Sequence, residues 1–135
     1  TIENYEKRIP IARENFIRAE KEEQITLLEG DAKDVLETLT EPFDLIFMDA
    51  AKGQYLNFLP RVLELLQPEG ILISDNVLQD GDIIESRFAV TRRNRTIHKR
   101  MREYLYTLTH SEELTTAVLP VGDGITISTK KGRKA

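Results

Sequence analysis

Asp49, Asp75 and Asn76 are the residues of this chain best suited to chemistry. Two short apolar runs, Leu45-Ile46-Phe47-Met48 and Ile71-Leu72-Ile73, each lead to an aspartate, and Asn76 follows the second. Runs apolar on both faces read as buried strands of a parallel sheet. The segment between them is long enough, and helical enough in pattern, for a right-handed crossover. In such sheets ligands sit beyond the carboxyl ends of the strands. The three oxygen-bearing side chains then meet at one rim. An all-oxygen donor set suits a hard divalent cation, Mg²⁺ foremost. The plainer alternative is that both aspartates cap the turns or helices that follow them. A further rival is an α/β phosphoacceptor or hydrolase with Asp49 as nucleophile.

The elements that must position these residues can be read along the chain. Asn4 is a possible helix cap, followed by Tyr5, Ile9, Ala12 and Phe16 at helical spacing, with Pro10 kinking the helix or marking its start. Gln24 to Leu28 reads as a strand. Asp31 or Asp34 starts a short helix carrying Val35, Leu36 and Leu39. After Asp49 a helix buries Leu56, Leu59, Leu63 and Leu66 and bends at Pro60. Gln67-Pro68-Glu69-Gly70 is a stop-and-turn signal. A loop around Gly81 is expected to lie over the rim. A helix running from the Arg92–Arg102 segment to about Thr109 turns Ile97, Met101, Leu105 and Leu108 inward. Leu114–Leu119 and Ile125–Thr129 flank a Val121-Gly122-Asp123-Gly124 turn as an antiparallel pair. The alternation gives an α/β doubly wound sheet finished by a C-terminal antiparallel hairpin.

Composition narrows the chemistry. The chain has 135 residues, no cysteine and two histidines. Disulfides, thiolate metal sites and cysteine nucleophiles are excluded, and a histidine-rich zinc site is disfavoured. No run approaches a membrane span and no signal-peptide pattern opens the chain, so no membrane partner and a cytoplasmic setting are expected. Thr1-Ile2-Glu3 reads as the end of a strand without an initiator methionine. The expectation is that residues 1–135 are the C-terminal portion of a single domain, with one or more N-terminal strands absent and a raw sheet edge as the result.

The net charge is −4, yet Arg92, Arg93, Arg95, Lys99, Arg100 and Arg102 form a basic block with His98. On a helix Arg95, Lys99 and Arg102 share a face. Such a face can track phosphates, with salt-dependent binding. It can equally be a solvated face paired with Glu103, or a dimer contact.

The order of these pieces, with MDAAKGQY at 48–55, ISDNVL at 73–78 and LPVGDGITIS at 119–128, resembles the metal-dependent O-methyltransferases that use S-adenosylmethionine, a group that includes catechol and caffeoyl-coenzyme-A methyltransferases. The resemblance covers essentially the whole chain and implies a Rossmann-like methyltransferase fold. Within the group, RTIHKRMREYL at 95–105 resembles the bacterial tRNA 5-hydroxyuridine methyltransferases, which make 5-methoxyuridine at the wobble position. The resemblance implies Asp49, Asp75 and Asn76 as metal ligands. It implies Glu3 on the cofactor ribose, Asp31 and Ala32 at the adenine, with Asp49 also lining the cofactor pocket, and Lys52 as general base. The implied substrate is a tRNA anticodon loop, held in part by Arg92, Arg93, Arg95, Lys99 and Arg102. The alternative substrate is a small catechol or hydroxycinnamoyl ester, and a homodimer is the implied assembly. The family's glycine-rich cofactor loop would lie upstream of Glu3. A chain starting at Thr1 is expected to bind cofactor poorly, which leaves a metal-binding or dimerisation module as the non-enzyme alternative.

Overall fold

The computed structural model describes residues 1–86, 88–92 and 94–132, Asp80 by its main chain alone. It contains two compact units, Thr1–Thr40 and Glu41–Ala135.

In the first unit β1 (Ile2–Glu3) pairs in parallel with β2 (Leu28–Glu29), and α1 (Arg8–Arg18) connects them. The strand expected over Gln24–Leu28 is the two-residue Leu28–Glu29, with Thr1 also bonding Thr26 O and Leu28 N ahead of it. Asn4 does not cap α1; the residue at that position is Lys7. Pro10 neither kinks nor starts the helix. It is the third residue of α1, in the first turn, where the missing N–H costs no intrahelical bond. Ile9, Ala12 and Phe16 are the half-buried residues of α1, as their spacing predicts, whereas Tyr5 precedes the helix and is exposed. Asp31 caps α2 (Ala32–Thr38): its Oδ1 accepts from Lys33 N at 2.9 Å.

In the second unit β3 (Phe43–Met48), β4 (Leu66–Ser74), β5 (Leu114–Leu119) and β6 (Ile125–Lys130) form one sheet in the order β3-β4-β6-β5. The β3–β4 pair is parallel and the other two pairs are antiparallel. α3 (Tyr55–Leu65) makes the crossover from β3 to β4, and α4 (Arg95–His110) precedes the hairpin.

The inward faces of both helices differ from the leucine-based expectation. α3 buries Tyr55, Phe58, Leu59, Val62 and Leu65, while Leu56 and Leu63 are only half-buried. α4 buries His98, Met101, Tyr104 and Leu108, while Ile97 sits at the exposed border. The aromatic residues carry these faces: Tyr55 and Tyr104 meet edge to face, with ring centroids 5.3 Å apart. Beneath them the sheet is small and polar. Ser74, Thr126 and Ser128 are fully buried. Ser74 Oγ shares a 2.5 Å hydrogen bond with Tyr104 Oη, and Ser128 Oγ shares one of 2.8 Å with Thr116 Oγ1. Two buried polar atoms, His98 Nε2 and Thr126 Oγ1, lack a hydrogen-bond partner among the described residues.

The other face of the sheet is apolar. Leu45 pairs with Ile71, and Phe47 with Ile73, which pairs on with Ile127. α3 and α4 lie on the Ser74 side, so β3 is not the buried strand that its apolar run predicts. Leu45 and Phe47 are 53% and 58% exposed, and β3 is an edge strand. Among the described residues no helix is long and apolar enough to cross a membrane.

Gln67-Pro68-Glu69-Gly70 is not a turn. It lies within β4 as a bulge: from Phe43 to Leu45 on β3, its partner runs from Leu66 to Ile71. Glu69 takes φ +66°, a left-handed conformation. A Cβ on Gly70 would come within 2.8 Å of Gln67 O and 3.1 Å of Asp44 O, both main-chain atoms that no rotamer change can move. Gly70→Ala is expected to destabilise the protein by about 1–3 kcal/mol, read as a lowered unfolding midpoint; an unchanged midpoint would mean that the bulge relaxes freely.

Candidate active site at the carboxyl rim of the sheet

The two aspartates meet because their strands run in parallel and in register. Met48 pairs with Ser74, so Asp49 and Asp75 leave the sheet side by side. One further bond extends the ladder past the paired residues, from Asp75 N to Met48 O at 3.1 Å. Asp49 is exposed, and Asp75 and Asn76 are half-buried. Asp75 Oδ1 accepts from Asn76 N at 2.7 Å. Asn76 takes φ +57°, which asparagine tolerates better than most residues. Among the described residues no three His, Cys, Asp or Glu side chains converge as a metal site. The candidate donors here are two carboxylates and an amide oxygen. Their chemistry fits a hard cation.

Tyr55 closes the rim from below. Its hydroxyl donates to Asp75 O at 2.8 Å and lies 3.3 Å from Met48 O. Burial pushes the phenol up to about 12; the Ala50 N–H pulls the other way, and the charges of Asp49 and Asp75 add to the rise. Burial likewise raises Tyr104, against the opposing bond from Ser74.

Lys52 lies in the short 3₁₀ helix Lys52–Gln54 between β3 and α3. Its Nζ makes an ion pair with Asp123 Oδ2 at 3.2 Å. Asp123 belongs to the turn joining β5 to β6, and that turn also braces the Asp75 segment: Leu78 N donates to Asp123 O at 2.9 Å and Val77 N to Gly124 O at 3.0 Å. Gly124, at φ +78°, is required there, since a Cβ would collide with Leu78. Arg100 from α4 donates to Gly53 O and fastens the other side of the Lys52 loop.

The basic block is divided by this packing. Arg95 Nε donates to Val90 O at 3.3 Å. Arg102 Nη1 reaches Ile83 O and Glu85 O, each at 3.4 Å, across the 3₁₀ helix Gln79–Ile84 that occupies the expected loop. Lys99 is exposed and pairs with Glu103 at 3.6 Å, and Arg92 is exposed. Arg93 lies outside the described residues.

Glu3, Asp31 and Ala32 belong to the first unit. Glu3 Oε1 accepts from Tyr5 N at 2.9 Å and Asn4 N at 3.0 Å, and its Oε2 lies 3.6 Å from Arg8. The Tyr5 N–H is the main cause of a lowered Glu3 pKa. Within this unit Gly30 N donates to Glu3 O at 3.1 Å, so Glu3 and the Gly30-Asp31-Ala32 turn sit at one end of the β1–β2 pair.

Tyr55 and Asp123 were not singled out by residue-type reasoning. Both lie inside the motifs of the resemblance, MDAAKGQY and LPVGDGITIS, and Tyr55 begins the inward stripe of α3.

Comparison with known proteins places this geometry in context. Caffeoyl-CoA O-methyltransferase 1 of Eucalyptus globulus is 34% identical over 131 residues, which are 93% of this chain and 52% of that protein. A catechol O-methyltransferase of Niastella koreensis is 35% identical over 89 residues, 63% of this chain and 40% of that one. The O-methyltransferase of Bacillus cereus, solved in complex with SAH, superposes with a TM-score of 0.84 at 27% identity, covering 97% of this chain and 61% of that one. The chain thus spans about half the length of the caffeoyl-CoA relatives it matches. The O-methyltransferase family model matches residues 1–131, and the chain belongs to that family.

Proposed function

We propose that the protein carrying this chain transfers a methyl group from S-adenosylmethionine to a hydroxyl of a small phenolic acceptor, a catechol or a hydroxycinnamoyl ester, with the help of a hard divalent cation. The observation that carries this reading is the register of β3 against β4, which brings Asp49 and Asp75 to one rim in a chain of this family. The phenolic acceptor is supported by the similarity to a caffeoyl-CoA and a catechol O-methyltransferase.

S-adenosylmethionine, when bound, would supply a methyl carbon on a sulfonium to the acceptor oxygen, with the sulfur leaving as a neutral thioether. A cation, when bound, would lower the acceptor hydroxyl's pKa and orient it. Asp49, Asp75 and Asn76 would hold that cation through their oxygens. Glu3 would accept hydrogen bonds from the ribose hydroxyls, and Asp31 and Ala32 would face the adenine. Lys52 Nζ, as the neutral amine, is the candidate to receive the acceptor's proton, and Asp123 sets where that nitrogen sits.

A second reading, 5-hydroxyuridine in a tRNA anticodon loop, is favoured by the exposed Arg92 and Lys99 in the basic block. Labelled methyl transfer to a catechol, a caffeoyl ester and a 5-hydroxyuridine stem-loop, with Mg²⁺ and with chelator, separates the two. Chelator-sensitive transfer to the small phenols is the expected result. Transfer to the RNA alone, lost in Lys99→Glu, would move the substrate to tRNA, and metal binding without any transfer would overturn the enzymatic reading. Asp75→Ala is expected to lower transfer by roughly 100-fold or more, from the several kcal/mol a Lewis acid supplies, with an unaltered far-UV circular dichroism spectrum. An unchanged rate would remove Asp75 from the site.

A further inference from the structure

We propose that Tyr55 is the positioning residue of the rim: its buried hydroxyl ties the two strand ends together and so sets the spacing of Asp49 and Asp75. The inference rests on the reading of these carboxylates as cation ligands.

Tyr55 is 1% exposed, yet among the described residues its hydroxyl bonds no side chain. Its two oxygen partners are main-chain carbonyls, those of Met48 and Asp75. Met48 immediately precedes the first aspartate, and Asp75 is the second. The ladder itself gives one bond at this height, from Asp75 N to Met48 O. A single bond at a frayed strand end leaves the two chains free to splay. The phenol adds a second tie from a different direction, because Tyr55 starts α3 and approaches from the helix layer. It also closes a short loop: the chain leaves β3 at Met48, carries Lys52, and returns at Tyr55 to bond the carbonyl it left.

The ring is held independently of the hydroxyl. Tyr104 packs edge to face against it, and Tyr104 is itself fixed by Ser74, the residue before Asp75. The aim of the Tyr55 hydroxyl is thus set by packing, as a group that orients metal ligands requires. A purely structural tyrosine would meet its bonding need anywhere in the core. This one meets it at the carbonyl before the first candidate ligand and at the carbonyl of the second.

The test is Mn²⁺ binding to the intact protein by calorimetry, with no turnover required. Tyr55→Phe removes one oxygen and keeps the ring. It is expected to weaken Mn²⁺ binding on the order of tenfold, the usual effect of removing a group that orients a ligand. Tyr104→Phe removes an equally buried hydroxyl that bonds a side chain and not a rim carbonyl, and it should leave Mn²⁺ affinity within about twofold of wild type. Unchanged affinity in Tyr55→Phe, or an equal loss in both variants, overturns the inference and leaves the cation site standing. Wild-type protein that binds S-adenosylhomocysteine but no Mn²⁺ overturns the site and the inference together. A measurement on wild type alone covers the case of an unstable variant. The Asp75 amide should exchange with solvent as slowly as the core of β4, and fast exchange there would show that the rim is not clamped.

Discussion

The bond from Asp75 N to Met48 O is the constraint on which the candidate site depends. It is the last rung of the parallel ladder, and it exists only in the register that pairs Met48 with Ser74. A slip of one residue would turn Ile71 and Ile73 toward the helices and push Leu72 and Ser74 out to the bare face. The sheet resists this because its two faces differ so sharply. The covered face takes Leu72, Ser74, Thr126 and Ser128, and Ser74 and Ser128 each have a specific hydroxyl partner. A register fixed by polar packing is more exact than one fixed by apolar contact alone, since each hydroxyl is satisfied in one alignment only. The same alignment sets where the aspartates emerge.

The Lys52 loop is held more loosely and from two sides. The Lys52–Asp123 pair is a third exposed at the lysine, so its contribution to stability is small. Its effect is directional, drawing Nζ toward the β5–β6 turn. Arg100 acts on the opposite flank through Gly53 O. That turn also carries main-chain bonds to Val77 and Leu78, so one four-residue segment supports both the lysine and the stretch after Asn76.

The aspartate pair was legible in the sequence because strand-end position needs only the apolar runs and their direction. The hairpin was legible because its turn carries two glycines. The helix faces are less legible, because tyrosine and histidine read as border residues while Tyr55, His98 and Tyr104 are among the most buried: Tyr55 reaches main-chain carbonyls, Tyr104 reaches Ser74, and His98 Nε2 has no partner among the described residues. The bulge at 67–70 was misread as a turn for a related reason. Pro68 and Gly70 do break regular pairing, but β3 continues alongside and recaptures the strand at Ile71. Local signals mark where a ladder is disturbed and not whether a neighbour restores it.

The basic block carries the last step. A run of arginines in an acidic protein suggests a polyanion, but a helix that must anchor three irregular segments also needs long donors. Arginine supplies five N–H groups with no acceptor of its own, which suits main-chain carbonyls left unpaired in loops. Arg95, Arg100 and Arg102 are used in this way. Among the described residues of the block, Arg92, Lys99 and Arg102 are exposed, and Lys99 faces Glu103. Three phosphate contacts correspond to a salt slope of about −3, below the slope of about −5 to −9 for a protein holding 6–10 phosphates. Part of the charge that the sequence displays is therefore turned to the loops around the rim. This weighs toward a small acceptor, whose recognition needs no phosphate track.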